Sequence, residues 1–113
     1  MNQGRATNVF VLMPSGRHGE YAGGVDEAEF VYENIILPSI MRAGDELQMT
    51  LVPNREIDNR ISGPIPTSIV QKIATHDLSI VDITGTNANV LLELGMRYAL
   101  KRNGTKDLCL CFR

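Results

Sequence analysis

Two carboxylates in the second half of the chain have the setting of chemically active groups. Asp82 closes a short apolar run, LSIVD, and Glu93 lies in a following segment that has no Gly or Pro until Gly95. A turn rich in Thr, Gly and Asn separates them, so the stretch predicts a strand, a loop and a helix. Ligands of open α/β folds bind outside the carboxyl ends of the strands. The polar residues expected around such a crevice are Asp82, Thr84, Asn87, Asn89 and Glu93.

Glu93 allows two interpretations. Arg97 follows four residues later, and a Glu to Arg pair at this spacing is an ordinary helix-surface interaction that contributes about 0.2 to 0.5 kcal/mol. Alternatively, a carboxylate one turn inside the helix faces the mouth of the sheet and acts as a catalytic group that Arg97 orients from behind. The spacing alone leaves both interpretations open.

The helix predicted from about Asn87 onward is apolar in almost every direction around its axis. Such a helix is typically covered on two sides. We therefore expect its own sheet on one side and another helix or a second subunit on the other. Its apolar residues are Val90, Leu91, Leu92, Leu94, Met96, Tyr98, Ala99 and Leu100.

Length and composition exclude several classes of protein. A chain of 113 residues suffices for one domain with one core. The net charge is −2, the basic residues are scattered, and three Phe and three Tyr offer little for base stacking, which argues against nucleic-acid binding. No apolar run approaches a membrane span, and the start MNQGRAT does not resemble a signal peptide, so we expect a cytoplasmic protein.

The two cysteines do not predict a metal or redox site. Cys109 and Cys111 alternate in a predicted strand and lack the two-residue spacer typical of metal-binding or redox pairs. We expect buried, reduced thiols. No metal and no cofactor are expected.

The first strand is predicted at residues 8–13, NVFVLM, and Pro14 ends it. The ten residues that follow, SGRHGEYAGG, contain four glycines. Glycine-bearing loops after a first strand often hold phosphate, because their backbone N–H groups can approach an anion. No named phosphate motif is present, however, and a flexible surface loop is an equal alternative.

The remaining pattern predicts alternating helices and strands. Pro38 is expected to kink or end the first helix, and Pro53 to close the second strand. The order β-α-β-α-β-α-β indicates a parallel sheet with helices on both faces. Because the chain stops near a bare strand, we expect a fragment of a longer protein or cover from a partner. The predicted elements are a helix at 26–42, a strand at 46–52, a charged connection at 54–63, a helix at 64–75, the strand and helix described above, a turn at 103–107 and a strand at 108–112.

The stretch DITGTNANVLLELG resembles the signature of the nucleoside 2-deoxyribosyltransferase-like superfamily, which is related in fold to TIR domains that cleave NAD. The segments VFVLMP, NREIDNRI and HDLSIVD are similar to other landmarks of that family. The resemblance covers about residues 8–112 and is most specific over residues 82–95. It implies a flavodoxin-like or TIR-like three-layer sandwich, with a parallel sheet of four or five strands and helices on both faces, formed by one domain over residues 1–113.

The resemblance also implies roles for individual residues. Glu93 matches the family's catalytic glutamate and Asp82 the aspartate that helps to hold the sugar or base. Arg55 and Asp58 fall where relatives place a charged pair near the base. Departures from the family pattern occur at Ser15, Ala88 and Leu92, and the first and last of these leave the shape of the pocket open. The residues expected to bind substrate are Met13, Pro14, Ser15, Gly16, Tyr21, Arg55, Asp58, Thr84, Gly85, Asn87 and Asn89.

Three functions follow from this reading. The first is cleavage of an N-glycosidic bond in a nucleotide, either NAD, as substrate and not as cofactor, or a deoxynucleoside monophosphate. A carboxylate can stabilise the oxocarbenium-like state of such a reaction. The second is transfer of deoxyribose between bases. The third is a nucleotide-sensing or self-associating signalling domain without turnover. A small nucleotide or nucleoside is the expected ligand, in a homo-oligomer or as part of a multidomain protein.

Overall fold

The computed structural model describes residues 6–55, 67–100 and 106–110. Strands and helices alternate along these residues. The strands are β1 (Ala6–Leu12), β2 (Thr50–Arg55), β3 (Leu78–Asp82) and β4 (Lys106–Leu110). The helices are α1 (Gly24–Val31), α2 (Leu37–Leu47), α3 (Thr67–Thr75) and α4 (Ala88–Leu100), with a π turn at Tyr32–Ile36 and a 3-10 turn at Thr84–Thr86.

The strands form one parallel sheet in the order β2-β1-β3-β4. Val9 of β1 pairs with Pro53 of β2 on one side and with Leu78 of β3 on the other. The chain therefore leaves β1 toward one edge of the sheet and later returns to its other side. The connections that follow β1 and β3 run toward opposite edges of the sheet, and α/β sheets open a crevice for ligands at such a point.

Helices pack on both faces of the sheet. Val9 and Val11 of β1 belong to one buried cluster with residues of α1 and α2, whereas Phe10 and Leu12 belong to a second cluster with residues of α3 and α4. Successive side chains of a strand point to opposite faces, so β1 contributes to both cores. The α/β class predicted from the sequence is confirmed.

Pro38 does not end the first helix, and the predicted end near Arg42 was wrong. The helical path continues from α1 through the π turn into α2 and stops at Gln48, whose φ of 54° is left-handed. The N–H of Leu37 bonds to the carbonyl of Tyr32, five residues back. The wider π turn ends at Ile36, two residues before Pro38. In a regular α-helix the proline ring would press against the carbonyl four residues back and leave that carbonyl without a donor.

The second strand begins later than the sequence predicted. Residues 46 and 47 still belong to α2, and Pro53 lies inside β2 and does not close it. In the described sheet β2 is an edge strand, so one of its two hydrogen-bonding edges has no neighbouring strand. Proline, which lacks an N–H, is tolerated in such a strand. The fourth strand begins at Lys106 and not at 108. Two predicted elements lie partly outside the described residues. These parts are residues 64–66 of the helix predicted at 64–75 and residues 111–112 of the strand predicted at 108–112.

Helix α4 packs against the sheet and against α3, and its outer side is exposed, so the expected cover by a second subunit stays a prediction. Val90, Glu93 and Arg97 are buried on its inner side. Leu92 and Tyr98 on the outer side are 54% and 59% exposed. Within the described part of the chain, no helix is long and apolar enough to cross a membrane.

Candidate functional site

Asp82 ends β3 with its carboxylate fully enclosed. The residue is 0% exposed. Its Oδ1 accepts hydrogen bonds from the Thr84 N–H at 2.9 Å and the Thr84 hydroxyl at 2.6 Å, and its Oδ2 accepts one from the Tyr21 hydroxyl. These donors hold the carboxylate in one orientation at the carboxyl end of the strand. Its predicted contact with a sugar stays a prediction.

Asn87 joins the loop after β3 to the start of α4. Its Oδ1 accepts the Val90 N–H at 3.1 Å, which satisfies one of the free N–H groups of the first helical turn. Its Nδ2 donates to Glu20 Oε2 at 2.6 Å. Because both ends of the amide are bonded, its orientation is determined.

Gly85 allows the loop after β3 to approach the loop after β1. Its φ is +71°, and a Cβ added to it would lie 2.6 Å from Glu20 Cα and 2.9 Å from Glu20 Cβ. Only glycine combines this left-handed backbone with so close an approach. The two loops therefore pack directly against each other.

Glu20 is a site residue that sequence reasoning missed. It is buried in the loop after β1, where Oε1 accepts the His18 N–H at 3.1 Å. Burial raises the pKa of this carboxyl, but the hydrogen bonds from Asn87, from His18 and from its own backbone outweigh burial, and the pKa lies below its usual range. Glu20 is thus ionised at neutral pH. No local pattern could have indicated it, since Asn87 is 67 residues away in the chain.

Tyr21 is buried in the core, and its hydroxyl donates a hydrogen bond to Asp82. Burial, the hydrogen bond to Asp82 and the charge of that carboxylate raise the pKa of its hydroxyl above the usual tyrosine value. Tyr21 therefore remains a neutral donor to Asp82. Its predicted contact with a base stays a prediction.

A narrow crevice lies between the loops after β1 and β3. Its volume of about 10 Å³ is room for roughly one water. The structure brings residues predicted to bind substrate together here from both loops. The lining residues are Met13, Pro14, Ser15, His18, Asn87, Asn89 and Val90.

Glu93 lies one helical turn beyond the crevice. It follows Asn89 by four residues and Val90 by three, so all three share one side of α4. Glu93 is 4% exposed. A carboxylate in this position lies behind the crevice wall, in surroundings that keep water away.

Arg97 lies deeper still on the same side of α4. It is 0% exposed, and its Nη1 donates to the carbonyl of Ile73 in the last turn of α3 at 2.7 Å. A guanidinium there also interacts favourably with the partial negative charge of the helix end. Arg97 thus ties α4 to α3 from within the buried layer that contains Glu93.

The other predicted binding residues lie around the crevice or farther away. Arg55 bonds through Nη2 to both oxygens of Glu29, at 3.0 and 3.1 Å, and its guanidinium lies 3.9 Å from the ring centroid of Tyr32. Its Nη1 is 4.0 Å from Met13 Sδ, which is its link to the crevice wall. Gly16 has φ of +86° and packs against the carbonyl of Gly24, closing the loop after β1 on itself. Asp58 lies outside the described residues.

Glu20 and Tyr21 line a second, wider groove. It encloses about 300 Å³ and runs along α1, with Phe30 and Ile35 on its apolar wall and Thr84 at its inner end. Glu20 is linked to the crevice through its hydrogen bonds with His18 and Asn87, which line it. Within residues 6–55, 67–100 and 106–110, no three His, Cys, Asp or Glu side chains are grouped to hold a metal ion.

Comparison with known proteins adds no relative to this picture. No protein-family model, no curated protein and no solved structure matches the chain. The site must therefore be interpreted from its own geometry and from the resemblance of its residues.

Proposed function

We propose that this protein cleaves the N-glycosidic bond of a nucleotide, either NAD or a deoxynucleoside monophosphate, through Glu93. One observation carries the proposal. Asn87 and Asn89 line a crevice at the carboxyl ends of β1 and β3, and a buried carboxylate lies one turn farther along the same side of α4. Amide groups at the mouth and a carboxylate behind them suit a sugar whose anomeric carbon is the reacting atom.

The strand order supports the fold assignment that accompanies this function. The order β2-β1-β3-β4 corresponds to the first four positions of the flavodoxin-like order, 2-1-3-4-5. In that fold the ligand lies between the loops after β1 and β3, the same two loops that form the crevice here. We include a flavodoxin-like or TIR-like sandwich in the proposal.

The chemistry assigned to Glu93 is stabilisation of positive charge. When the bond between the anomeric carbon and the base nitrogen breaks, its electron pair leaves with the base. The sugar then carries oxocarbenium character, which a carboxylate oxygen neutralises by charge or by a transient covalent bond. Water adds to the anomeric carbon and releases a proton. Asp82 and Asn89 orient the sugar in this scheme.

The size of the crevice requires the site to open before it can bind a nucleotide. A volume of about 10 Å³ admits one water, whereas ligand pockets usually enclose about 300 Å³ or more. In this proposal the loop after β1 moves. The hydrogen bonds of Glu20 and Tyr21 hold it against the loop after β3, and the crevice opens when these bonds break. Closure around a bound ligand is a common way to exclude water from such reactions.

The test is the release of free base, separated by chromatography, from NAD and from each deoxynucleoside monophosphate. The protein is compared with Glu93→Gln and with Glu33→Gln, which changes an exposed carboxylate on the π turn. We expect the Glu93 variant to lose at least about a hundredfold in rate and the Glu33 variant to match the parent protein. Circular dichroism checks that both variants are folded.

The substrates distinguish the enzymatic alternatives. Base release that needs a second base in the mixture would indicate a deoxyribosyltransferase. Equal rates for the parent protein and Glu93→Gln would exclude Glu93 as the catalytic group. No release from any substrate would exclude the hydrolase.

The exposed outer side of α4 favours a second candidate, a nucleotide-sensing or self-associating domain without turnover. Leu91, Leu92 and Tyr98 are exposed along that side, and apolar surface of this kind is typical of an interface. Nucleotide binding without base release, together with a molecular mass that rises with concentration, would support this function over the enzyme.

A further inference from the structure

The loop after β1, for which the sequence left an anion-binding loop and a surface loop as equal alternatives, holds an anion of its own, the Glu20 carboxylate. The Glu20 carboxylate accepts the His18 N–H through Oε1 at 3.1 Å and the Asn87 Nδ2 through Oε2 at 2.6 Å. One donor comes from the loop after β1 and the other from the loop after β3. Glycine-bearing loops gather backbone N–H groups around anions in this manner.

The donors around Glu20 behave as a site for negative charge. Their hydrogen bonds lower the pKa of Glu20 despite its burial, and the charge of His18 acts in the same direction. His18 and Asn87 also line the crevice. The group that these donors hold is therefore beside the space in which a ligand would bind.

We propose that the Glu20 carboxylate is an internal occupant of an anion site and that the phosphate group of a ligand displaces it. The donors of His18 and Asn87 then bind phosphate oxygens, and the crevice opens as Glu20 leaves. The identification of the ligand as a nucleotide rests on the proposed function, whereas the anion site itself does not.

The surroundings of Glu20 provide a route for its displacement. Glu20 bonds to two residues of the crevice, His18 and Asn87, and itself lines the open groove of about 300 Å³. Gly19 precedes it with φ of +80°, and no atom lies within 4 Å of where a Cβ would be placed on Gly19. The carboxylate can turn from the crevice into the groove and regain water as its partner.

Binding of inorganic phosphate tests the proposal. The protein is compared with Glu20→Ala, which empties the site but keeps the Cβ that packs on Gly85, and with Glu20→Gln, which fills the space without the charge. The matched control is Glu27→Ala. It removes the same charge and one backbone hydrogen bond, from Gly23, but lies outside the crevice.

We expect phosphate to bind at least about tenfold more tightly to Glu20→Ala than to the parent protein, because no internal carboxylate competes for charge-assisted hydrogen bonds. Glu20→Gln should also gain affinity, and Glu27→Ala should remain within about twofold. Titrations followed by ¹H–¹⁵N spectra give both affinity and location. The signals that shift should be the His18 N–H and the Asn87 side-chain amide.

Equal phosphate affinities for the two folded Glu20 variants and the control would overturn the proposal, as would shifts confined to other residues. Should Glu20→Ala fail to fold, Glu20→Gln carries the same comparison. The outcome is independent of turnover. A gain in phosphate affinity in the Glu20 variants, without base release by the parent protein, would support the anion site and exclude the enzyme. Base release without any gain in phosphate affinity would support the enzyme and exclude the anion site.

Discussion

The two loops at the carboxyl edge of the sheet are held in place by different means. In the loop after β3, the hydrogen bonds of Asp82 with Thr84, of Thr86 with Ile83, and of Asn87 with Val90 all join residues within four positions of one another. The loop after β1 also has local hydrogen bonds, such as that of the His18 N–H to Glu20, but Glu20 and Tyr21 in addition reach across to Asn87 and Asp82, more than 60 residues away.

Because of this difference, we call the loop after β3, residues 83–87, the template and the loop after β1, residues 13–23, the follower. The loop after β3 acquires its shape from its own sequence and from the strand and helix on either side. The loop after β1 takes its position from that template. Substitutions in the template should therefore disturb both loops, whereas substitutions in the follower should release only one.

The largest effect is expected at Asp82, where both loops meet. Asp82→Ala leaves the Thr84 N–H and hydroxyl and the Tyr21 hydroxyl without their acceptor in a buried setting, so the free energy of unfolding should fall by about 3 kcal/mol or more. Urea denaturation measures the change. The control is Asp77→Ala, whose carboxylate accepts one N–H, from Asn8 at 3.0 Å, in an exposed position. A loss at Asp82 no greater than that at Asp77 would break the comparison.

Gly85 provides an intermediate test, since it is where the follower packs on the template. Gly85→Ala places a methyl group against Glu20 in a left-handed backbone and should destabilise the protein by about 1 to 3 kcal/mol. Gly95→Ala is the matched control, because nothing lies within 4 Å of its Cβ position in α4. The helix gains about 0.5 to 1 kcal/mol there. In thermal unfolding, the melting temperature should fall for Gly85→Ala and rise for Gly95→Ala. A shift in the same direction for both variants would contradict the packing of Gly85 against Glu20.

The smallest effect is expected at Tyr21, which holds only the follower. Tyr21→Phe should cost about 1 to 2 kcal/mol and speed amide exchange at Gly24, while exchange at Thr84 stays slow. Because the pKa of Tyr21 is raised in the folded protein, its contribution is fully present below the tyrosine value of about 10 in the unfolded chain. It declines as the pH rises above that value. The stability gap between parent and variant should therefore narrow above about pH 10, and a constant gap would exclude the raised pKa.

The template was predictable from sequence because its signals are local. The apolar run that ends at Asp82 and the turn residues after it predicted β3 and the start of α4 to within one residue. Pro38 was expected to kink or end the first helix and Pro53 to close the second strand, and neither element ends at its proline. A π turn accommodates the first, and an edge position accommodates the second. Both accommodations depend on structure around the proline and not on the proline itself.

The follower was only partly predictable. Its glycines indicated a loop suited to an anion, but the role of Glu20 depends on a partner that only the parallel pairing of β1 with β3 brings near. Tyr21 was predicted only as a substrate-binding residue, and nothing in the sequence indicated that its hydroxyl bonds to Asp82 from within the core. Contacts made across the sheet leave no periodicity in the sequence, and so pattern reasoning cannot detect them.

Pro53 in β2 also bears on how this protein behaves at high concentration. An edge strand presents unpaired backbone groups on which a strand of another molecule can add, and that is how many sheets begin to aggregate. A proline lacks an N–H and interrupts such a ladder in the middle of the six-residue strand. The residue that shifted the predicted end of the strand thus hinders edge-to-edge pairing at this edge of the described sheet.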